Sequence, residues 1–207
     1  MTQRGYTPKR RLRAPARRAL IARAALGEFA AHGYDAASMG RIAAAAGVTR
    51  TVLYDHFPSK RALFVALVEE KQAELLAHLR ETLVADAPTD ERMRRSFDAF
   101  FAYAEREPRA WRLLFPDQEP LDRDVAADHR RLRSEANRLL AAMLAPDARR
   151  AGFDPKSTVA QAVFAFQQAA LHGAVRWWYA HPAATRDELV EAAVALLWTG
   201  LSGRERR

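Results

Sequence analysis

The feature that most restricts the fold is a sequence rich in alanine, leucine and arginine that contains no alternating apolar–polar segment of strand length. Such a composition favours α-helices over strands. Ser38 and Thr49 suit helix N-caps, Pro108 and Pro155 suit first-turn positions, and Gly33 suits a C-terminal cap. We therefore predict an all-α fold of about nine helices, at residues 15–32, 39–46, 50–56, 59–85, 89–106, 108–115, 121–145, 155–180 and 186–201.

Positive charge is concentrated at the start of the chain. Residues 1–60 carry eleven Lys and Arg against three Asp and Glu, whereas residues 61–207 carry 22 of each sign. A basic segment attached to a neutral body is typical of proteins that bind nucleic acid. The arginine-rich arm at residues 1–14 has two interpretations: it enters the DNA minor groove, or it only increases solubility.

Several classes of protein are disfavoured. The chain has no cysteine, which excludes disulfides and thiolate chemistry. Its first eighteen residues are polar and arginine-rich, unlike a signal peptide. The most apolar stretch, 159–175, is a poor membrane span because it contains Gln161, Gln167, Gln168 and His172. We expect a soluble, cytoplasmic protein with no membrane association, no cofactor and no metal site.

The stretch 42–54 predicts two short helices joined by a tight turn. Small side chains at 43–46 let the helix backbones approach, and Gly47 tolerates the left-handed conformation of the turn. A helix as short as the second is not stable alone, so its neighbours must brace it, which leaves its outer face for the DNA major groove. The apolar core beneath the motif is predicted to contain Phe29, Ile42, Val48 and Leu53.

Residues 17–64 resemble the N-terminal domain of the tetracycline-repressor (TetR) family of regulators. The rest of the chain resembles this family only in helix count and in its alanine-rich final helices. The resemblance implies a basic arm at 1–14, a helix-turn-helix domain at 15–62, and a helical domain for effector binding and dimerisation at 63–207. The matching positions are Phe29, Gly33, Tyr34, Ile42, Ala43, Ala46, Gly47, Val48, Leu53, Tyr54, His56, Phe57, Lys60 and Leu63.

The resemblance also implies which residues contact DNA. Base contacts fall at Arg50, Thr51 and Val52, at the start of the second helix of the motif. Ser38 and Thr49 lie at helix starts, where they can hold a phosphate, and Arg41 is a further phosphate candidate. The remaining phosphate contacts, which fix register rather than read sequence, fall at Tyr54, His56 and Lys60.

The C-terminal body carries many aromatic residues, which either form a packed core or line a pocket. Gln161, Gln168 and His172 lie on one side of an apolar helix, so they face a partner helix or a cavity. The resemblance implies an effector pocket there, with the candidate wall Phe97, Phe101, Trp111, Phe115, Met143, Phe164, Gln168 and His172. Stripes of small and apolar residues on the last two helices predict a dimer interface of Ala162, Ala169, Gly173, Trp177, Leu189, Ala193, Leu196 and Gly200.

Together these features predict a homodimeric transcriptional repressor that binds a palindromic operator in double-stranded DNA and is released by a small, mostly apolar effector. Three alternatives compete with this interpretation. An enzyme is disfavoured because the chain lacks a cysteine nucleophile, an HExxH motif and a glycine-rich phosphate loop. An architectural DNA binder would bind without sequence preference. A purely structural helical module would not segregate its charge.

Overall fold

The computed structural model describes residues 14–82 and 87–198, which form nine helices and no strand. This confirms the all-α prediction for the part of the chain that is described. All of the predicted arm except Ala14 lies outside the described residues, and so does Gly200. A π-helical turn, Val194–Trp198, follows the last helix. The helices are α1 Ala14–Ala36, α2 Met39–Ala45, α3 Arg50–His56, α4 Lys60–Thr82, α5 Thr89–Arg106, α6 Pro108–Leu114, α7 Arg123–Arg150, α8 Thr158–Ala180 and α9 Arg186–Ala193.

Helix α7 is longer than the sequence predicts. It passes through Pro146 and ends at Arg150 instead of at residue 145, although a proline inside a helix removes one backbone hydrogen bond. We attribute the extension to Asp147, whose carboxylate forms a buried, two-pronged ion pair with Arg92 of α5, at 2.8 and 3.0 Å. This pair holds the last turn of α7 against α5 and thereby compensates for the proline.

Other helix ends follow local capping groups. Helix α8 begins after Ser157, whose hydroxyl accepts a hydrogen bond from the Ala160 amide, so Pro155 lies in the preceding loop and its predicted first-turn position is wrong. Pro108 does occupy the first turn of α6. Gly33 interrupts α1 with a φ of 71°, as expected for a residue that ends the regular helix.

One apolar core runs through both halves of the molecule. Helix α1 packs on α2, α4 and α6, and α4 continues into the body, where it packs on α5 and α7. Phe29, Ile42 and Leu53 are buried beneath the turn between α2 and α3, as predicted, and Val48 packs against them. None of the described helices combines the length and the apolar character that crossing a bilayer demands.

The N-terminal helices and the body meet at Phe64 of α4. Its ring packs edge-on against Phe29 and Tyr34 of α1 and lies 6.1 Å from the ring of His129 on α7, centroid to centroid. On the surface beside this contact, Arg61 of α4 donates hydrogen bonds to Asp128 (2.8 Å) and Asp124 (3.2 Å) on the first turns of α7. These contacts join α7 directly to α4.

Candidate nucleic-acid interface

The turn between α2 and α3 is fixed by the backbone. Gly47 has a φ of 65°, and its amide donates to the carbonyl of Ala44, while the amide of Val48 donates to the carbonyl of Ala43. These two bonds form a Schellman motif, which satisfies the last carbonyls of α2 and reverses the chain. The motif requires a residue that adopts positive φ without strain, which explains the glycine. As a result, α3 crosses α2 at a defined position.

Both helices of the motif begin at a hydroxyl cap. Ser38 Oγ accepts a hydrogen bond from the Gly40 amide at 3.2 Å, and Thr49 Oγ1 accepts one from the Val52 amide at 3.3 Å. Each hydroxyl keeps its own hydrogen as a donor. The predicted N-caps are therefore confirmed, whereas the predicted phosphate contacts of Ser38 and Thr49 stay predictions.

Helix α3 exposes one face and buries the other. Arg50, Thr51 and Tyr54 are exposed, Tyr54 with 47% of its surface accessible, whereas Leu53 is buried in the core. Residues three and four apart share a face of a helix, so these three side chains form one surface. Val52 is half-buried, and so is His56, which leaves both less available than the sequence suggests.

Arg50 lies across the start of α2. A Cβ atom built on Gly40 would overlap the Arg50 guanidinium, so any larger residue at position 40 would displace the end of that side chain. Among the described residues Arg50 has no ion-pair or hydrogen-bond partner, and its donors are available to a ligand. Sequence reasoning missed Gly40, because nothing local indicates that an arginine ten residues later packs against it.

Arg41 is already engaged within the protein. Its guanidinium donates to Glu28 Oε1 at 2.7 Å and to the carbonyl of Ala36 at 2.7 Å. The same carboxylate accepts the Ser38 amide at 2.9 Å, so Glu28 ties α1 to the start of α2. The hydrogen bond from Arg41 lowers the pKa of Glu28, which keeps the carboxylate ionised. A phosphate would therefore share Arg41 with Glu28.

Lys60 has a structural role, because all three donors of its ammonium are used within the chain. They go to the carbonyls of Tyr34 (2.9 Å), Asp35 (3.1 Å) and Ala37 (3.3 Å), and the ammonium lies 4.4 Å from the centre of the Tyr34 ring. Lys60 thus stabilises the end of α1 and the chain that leads into α2. A phosphate would have to compete with these carbonyls for the ammonium, so the phosphate role of Lys60 stays a prediction beside this structural role.

Arg18 is a further structural residue that the sequence did not single out. Its guanidinium donates to the carbonyl of His56 at 3.2 Å and lies over the Phe57 ring, 4.1 Å from the centroid. These contacts clamp the end of α3 to α1. The only available signal was its place in the arginine-rich start, which suggested contact with DNA instead.

The predicted effector wall is largely a packed core. Phe97, Phe101 and Trp111 are almost fully buried among other core side chains, because burying a large aromatic ring removes much apolar surface from water. The His172 ring lies 4.2 Å from the Phe115 ring, tilted by 36°, and 5.7 Å from the Trp111 ring, centroid to centroid. Burial, followed by the charges of Arg133 and Arg176, lowers the pKa of His172 to about 4.

A cavity of about 490 Å³ lies elsewhere, between α7 and α8. Of the eight predicted wall residues only Phe164 lines it, although Met143 and Gln168 are chain neighbours of the lining residues Leu144 and Gln167. The other seven predicted wall residues do not line this cavity, and their role at an effector site stays a prediction. No group of three His, Asp or Glu side chains suited to a metal ion occurs in the described ranges.

The predicted dimer stripe is divided between the surface and the core. Leu189 (6% exposed) and Ala193 are buried inside the protomer, because α9 packs that face on α5, and their assignment to an interface is corrected. Trp177 and Leu196 are exposed, Leu196 with 72% of its surface accessible. Phe166, also 72% exposed, was missed although it lies on the same helix as Trp177. Ala169 is exposed, and Ala162 and Gly173 are half-buried.

Comparisons with known proteins agree with this architecture. Residues 21–67 match the family model of bacterial regulatory proteins of the tetR family. The HTH-type transcriptional activator FasR of Mycolicibacterium smegmatis is 35% identical over 111 residues, which cover 54% of this chain and 51% of FasR. The HTH-type regulator Rv0472c of Mycobacterium tuberculosis is 29% identical over 169 residues, which cover 80% of this chain and 69% of that protein. The chain thus matches about half of the length of FasR.

A solved structure has the same fold. FadR from Bacillus subtilis, in complex with stearoyl-CoA, superimposes with a TM-score of 0.72 at 17% sequence identity. The match covers 89% of this chain and 98% of FadR. At this identity the similarity concerns the fold.

Proposed function

We propose that the chain is a transcriptional regulator of the TetR family rather than an enzyme, and that it acts as a homodimeric repressor that binds a palindromic DNA operator and is released by a small effector. The match of residues 21–67 to the tetR family model and the similarity to FasR support this proposal. The observation that carries this proposal is the α3 surface of Arg50, Thr51 and Tyr54. A short helix, braced by the Gly47 turn and the caps at both helix starts, presents an unpaired guanidinium to solvent. Arg50 would donate two hydrogen bonds to a guanine, and Thr51 would contact a thymine methyl group.

A dimer is supported by the exposed apolar side chains of the last helices. Phe166 and Trp177 on α8 and Leu196 after α9 are each at least half exposed. Large apolar groups that cluster on a surface indicate a protein–protein contact. A second copy placed on this surface by a two-fold axis would set two α3 helices on one face of the duplex, which requires a palindromic operator.

The effector site proposed here is the cavity between α7 and α8, in the domain that we place at residues 63–207. Its volume of about 490 Å³ is suited to a small ligand. A ligand that favours one position of α7 would shift α4 through Arg61 and Phe64. This shift would change the distance between the α3 helices of the two subunits. A coupling free energy of about 1–3 kcal/mol would weaken DNA binding about 5- to 150-fold.

Activation of transcription is the second candidate, because the relative FasR is named as an activator. The two functions differ in the effect of removing the gene. Loss of a repressor raises the expression of an operator-linked reporter, whereas loss of an activator lowers it. We expect a rise.

The DNA-reading surface is tested with Arg50→Ala and, as a matched control, Arg149→Ala, an exposed arginine at the end of α7. Fluorescence anisotropy with a selected operator should show that Arg50→Ala weakens binding by about 1–3 kcal/mol, roughly 5- to 150-fold, and relaxes the preference at one base pair in each half-site. Arg149→Ala should bind as the parent does. Equal affinity of both variants for every operator would refute the assignment of α3.

The dimer surface is tested with Leu196→Asp against Leu139→Asp, which changes an exposed leucine (57%) on α7, away from this surface. Two carboxylates would be buried in each dimer at about 1–3 kcal/mol each, so the dissociation constant should rise about 30-fold or more with Leu196→Asp. Sedimentation velocity should show an unchanged dimer for Leu139→Asp. A monomeric parent protein, or equal dissociation of both variants, would exclude this interface.

A further inference from the structure

The cavity between α7 and α8 has a polar end and an apolar end. The first half of α7 lines it with Arg130, Arg133, Asn137 and Arg138, and the second half with Ala141, Leu144 and Ala148. At a rise of about 1.5 Å per residue, the part of α7 from Ala141 to Ala148 is about 10 Å long. Val163 and Phe164 of α8 cover this apolar part.

Several polar groups in the cavity lack a protein partner. Gln167 lines the cavity and is only 9% exposed, yet its amide makes no hydrogen bond within the described residues. Asn137 and Arg138 also have no hydrogen-bond or ion-pair partner there. Of these three residues only Gln167 is buried, and buried polar groups are normally paired, while Asn137 is half-buried and Arg138 is exposed. The donors of all three side chains are therefore available to a ligand that carries acceptors at the polar end.

The charge of the cavity is positive. The acidic residue in its lining is Asp147, and that carboxylate is committed to Arg92 and Arg150. Two of the lining arginines are held from outside the cavity by one carboxylate, since Glu119 accepts a hydrogen bond from Arg130 at 2.7 Å and lies 3.8 Å from Arg133. The polar end therefore suits an anion, and Glu119 occupies donors that an anion would use.

Glu119 belongs to the connection between α6 and α7, which also contacts the DNA-binding helices. Two residues further on, the amide of Leu121 donates to the carboxylate of Asp35 at 2.9 Å, in the last turn of α1. Asp35 in turn offers its carbonyl to Lys60. A change in the position of Glu119 thus acts on the segment that leads into α2.

From this geometry we infer that the effector is a single-chain amphiphile with an anionic head group, and that its head group competes with Glu119 for Arg130 and Arg133. The inference rests on the proposed function and names its effector class. The hydrocarbon chain lies along Ala141, Leu144 and Phe164, and the anion meets the arginines and Gln167. Release of Glu119 loosens the contact between Leu121 and Asp35 and weakens the hold on the DNA-reading helices.

Isothermal titration calorimetry with the full chain tests the ligand class, with laurate, dodecyl phosphate and dodecanol as probes below their critical micelle concentrations. A charge-assisted hydrogen bond favours an anion over a neutral analogue about 10- to 100-fold, so one site per chain should bind laurate or dodecyl phosphate at least tenfold more tightly than dodecanol. The two anions distinguish a carboxylate from a phosphate head group. Equal affinities for laurate, dodecyl phosphate and dodecanol would overturn the inference.

Variants locate the site. Arg138→Gln should weaken laurate binding about tenfold and leave dodecanol binding unchanged, which also shows that the cavity remains folded, whereas Arg149→Gln should change neither. Glu119→Gln removes the competing carboxylate. Because an exposed ion pair contributes at most about 1 kcal/mol, laurate should then bind about two- to fivefold more tightly. Identical behaviour of Arg138→Gln and Arg149→Gln, or weaker laurate binding by Glu119→Gln, would overturn the inference.

Failure of the inference and failure of the proposed function give different results. If the chain binds laurate as described but never binds duplex DNA, the ligand site stands and the proposed function falls. If the chain binds an operator and dodecanol and laurate dissociate it from that operator at equal concentrations, the proposed function is supported and the anionic effector is excluded. The inference predicts that laurate releases the operator from the parent protein and that Arg138→Gln needs about tenfold more laurate for the same release.

Discussion

The variant Lys60→Met distinguishes a structural role of Lys60 from a role in phosphate binding. In the structure its ammonium donates to three carbonyl oxygens, of Tyr34, Asp35 and Ala37, at 2.9–3.3 Å. One hydrogen bond to a charged group contributes about 1.5–3 kcal/mol, and a cation over an aromatic ring adds about 0.5–1 kcal/mol. Because the three bonds share one partly exposed ammonium, we expect Lys60→Met to lower the free energy of unfolding by about 2–4 kcal/mol.

Differential scanning calorimetry at fixed protein concentration measures this effect. A loss of about 2–4 kcal/mol corresponds to a fall in Tm of about 4–16 °C for a chain of this size. Lys156→Met, which removes an exposed lysine from the loop before α8, is the matched control and should leave the Tm unchanged. If Lys60 contacted a phosphate instead, its removal would leave the Tm unchanged and would reduce the slope of log K against log salt by about 0.9 for each contact. That pair of results would refute the structural role.

Three further predictions concern other parts of the structure. Gly40→Ala should leave the Tm unchanged or raise it, since alanine favours a helix. The added methyl group should displace the Arg50 guanidinium and so change the operator affinity measured by fluorescence anisotropy. An unchanged operator affinity contradicts this. The free energy of unfolding should fall by up to about 3 kcal/mol between pH 6.5 and pH 4, because His172 is protonated near pH 6.5 in the unfolded chain but only near pH 4 in the folded protein. Urea titrations of His172→Phe should show less pH dependence than those of the parent protein. Arg92→Met should cost up to about 3–5 kcal/mol, because the buried Asp147 carboxylate then keeps only its 3.3 Å contact with Arg150. The double variant with Asp147→Leu should recover most of that loss, and an unchanged Cm for Arg92→Met contradicts this.

The DNA-reading motif could be predicted from the sequence because its signals are local. The positive φ of Gly47 and the caps at Ser38 and Thr49 depend on residues within a few positions of one another, so their spacing is visible in the chain. The partners of Lys60 could not be predicted, because they lie 23 to 26 residues away, at the end of α1. The residue type at a position therefore indicated a resemblance to the family, but it did not indicate which atoms the side chain contacts.

The effector wall was harder to predict because it depends on how helices are oriented. Phe97, Phe101 and Trp111 are the same residue types that line apolar pockets, and only their packing partners show that they belong to the core. The cavity instead forms where the alanines of α7 leave space opposite α8. In the same way, the orientation of α9 and of the π-helical turn after it decides that Leu189 faces α5 while Leu196 faces solvent.

The central claim, that α3 of a dimer reads a palindrome, is tested most directly by selecting bound duplexes from a random pool. The account predicts one enriched palindrome whose half-site centres are separated by about one helical turn, 10–10.5 base pairs, or a multiple of it. It also predicts that Arg50→Ala loses the preference at one symmetric pair of positions while keeping the rest. A pool without sequence enrichment, or the same enriched sequence for the parent and for Arg50→Ala, would contradict the account.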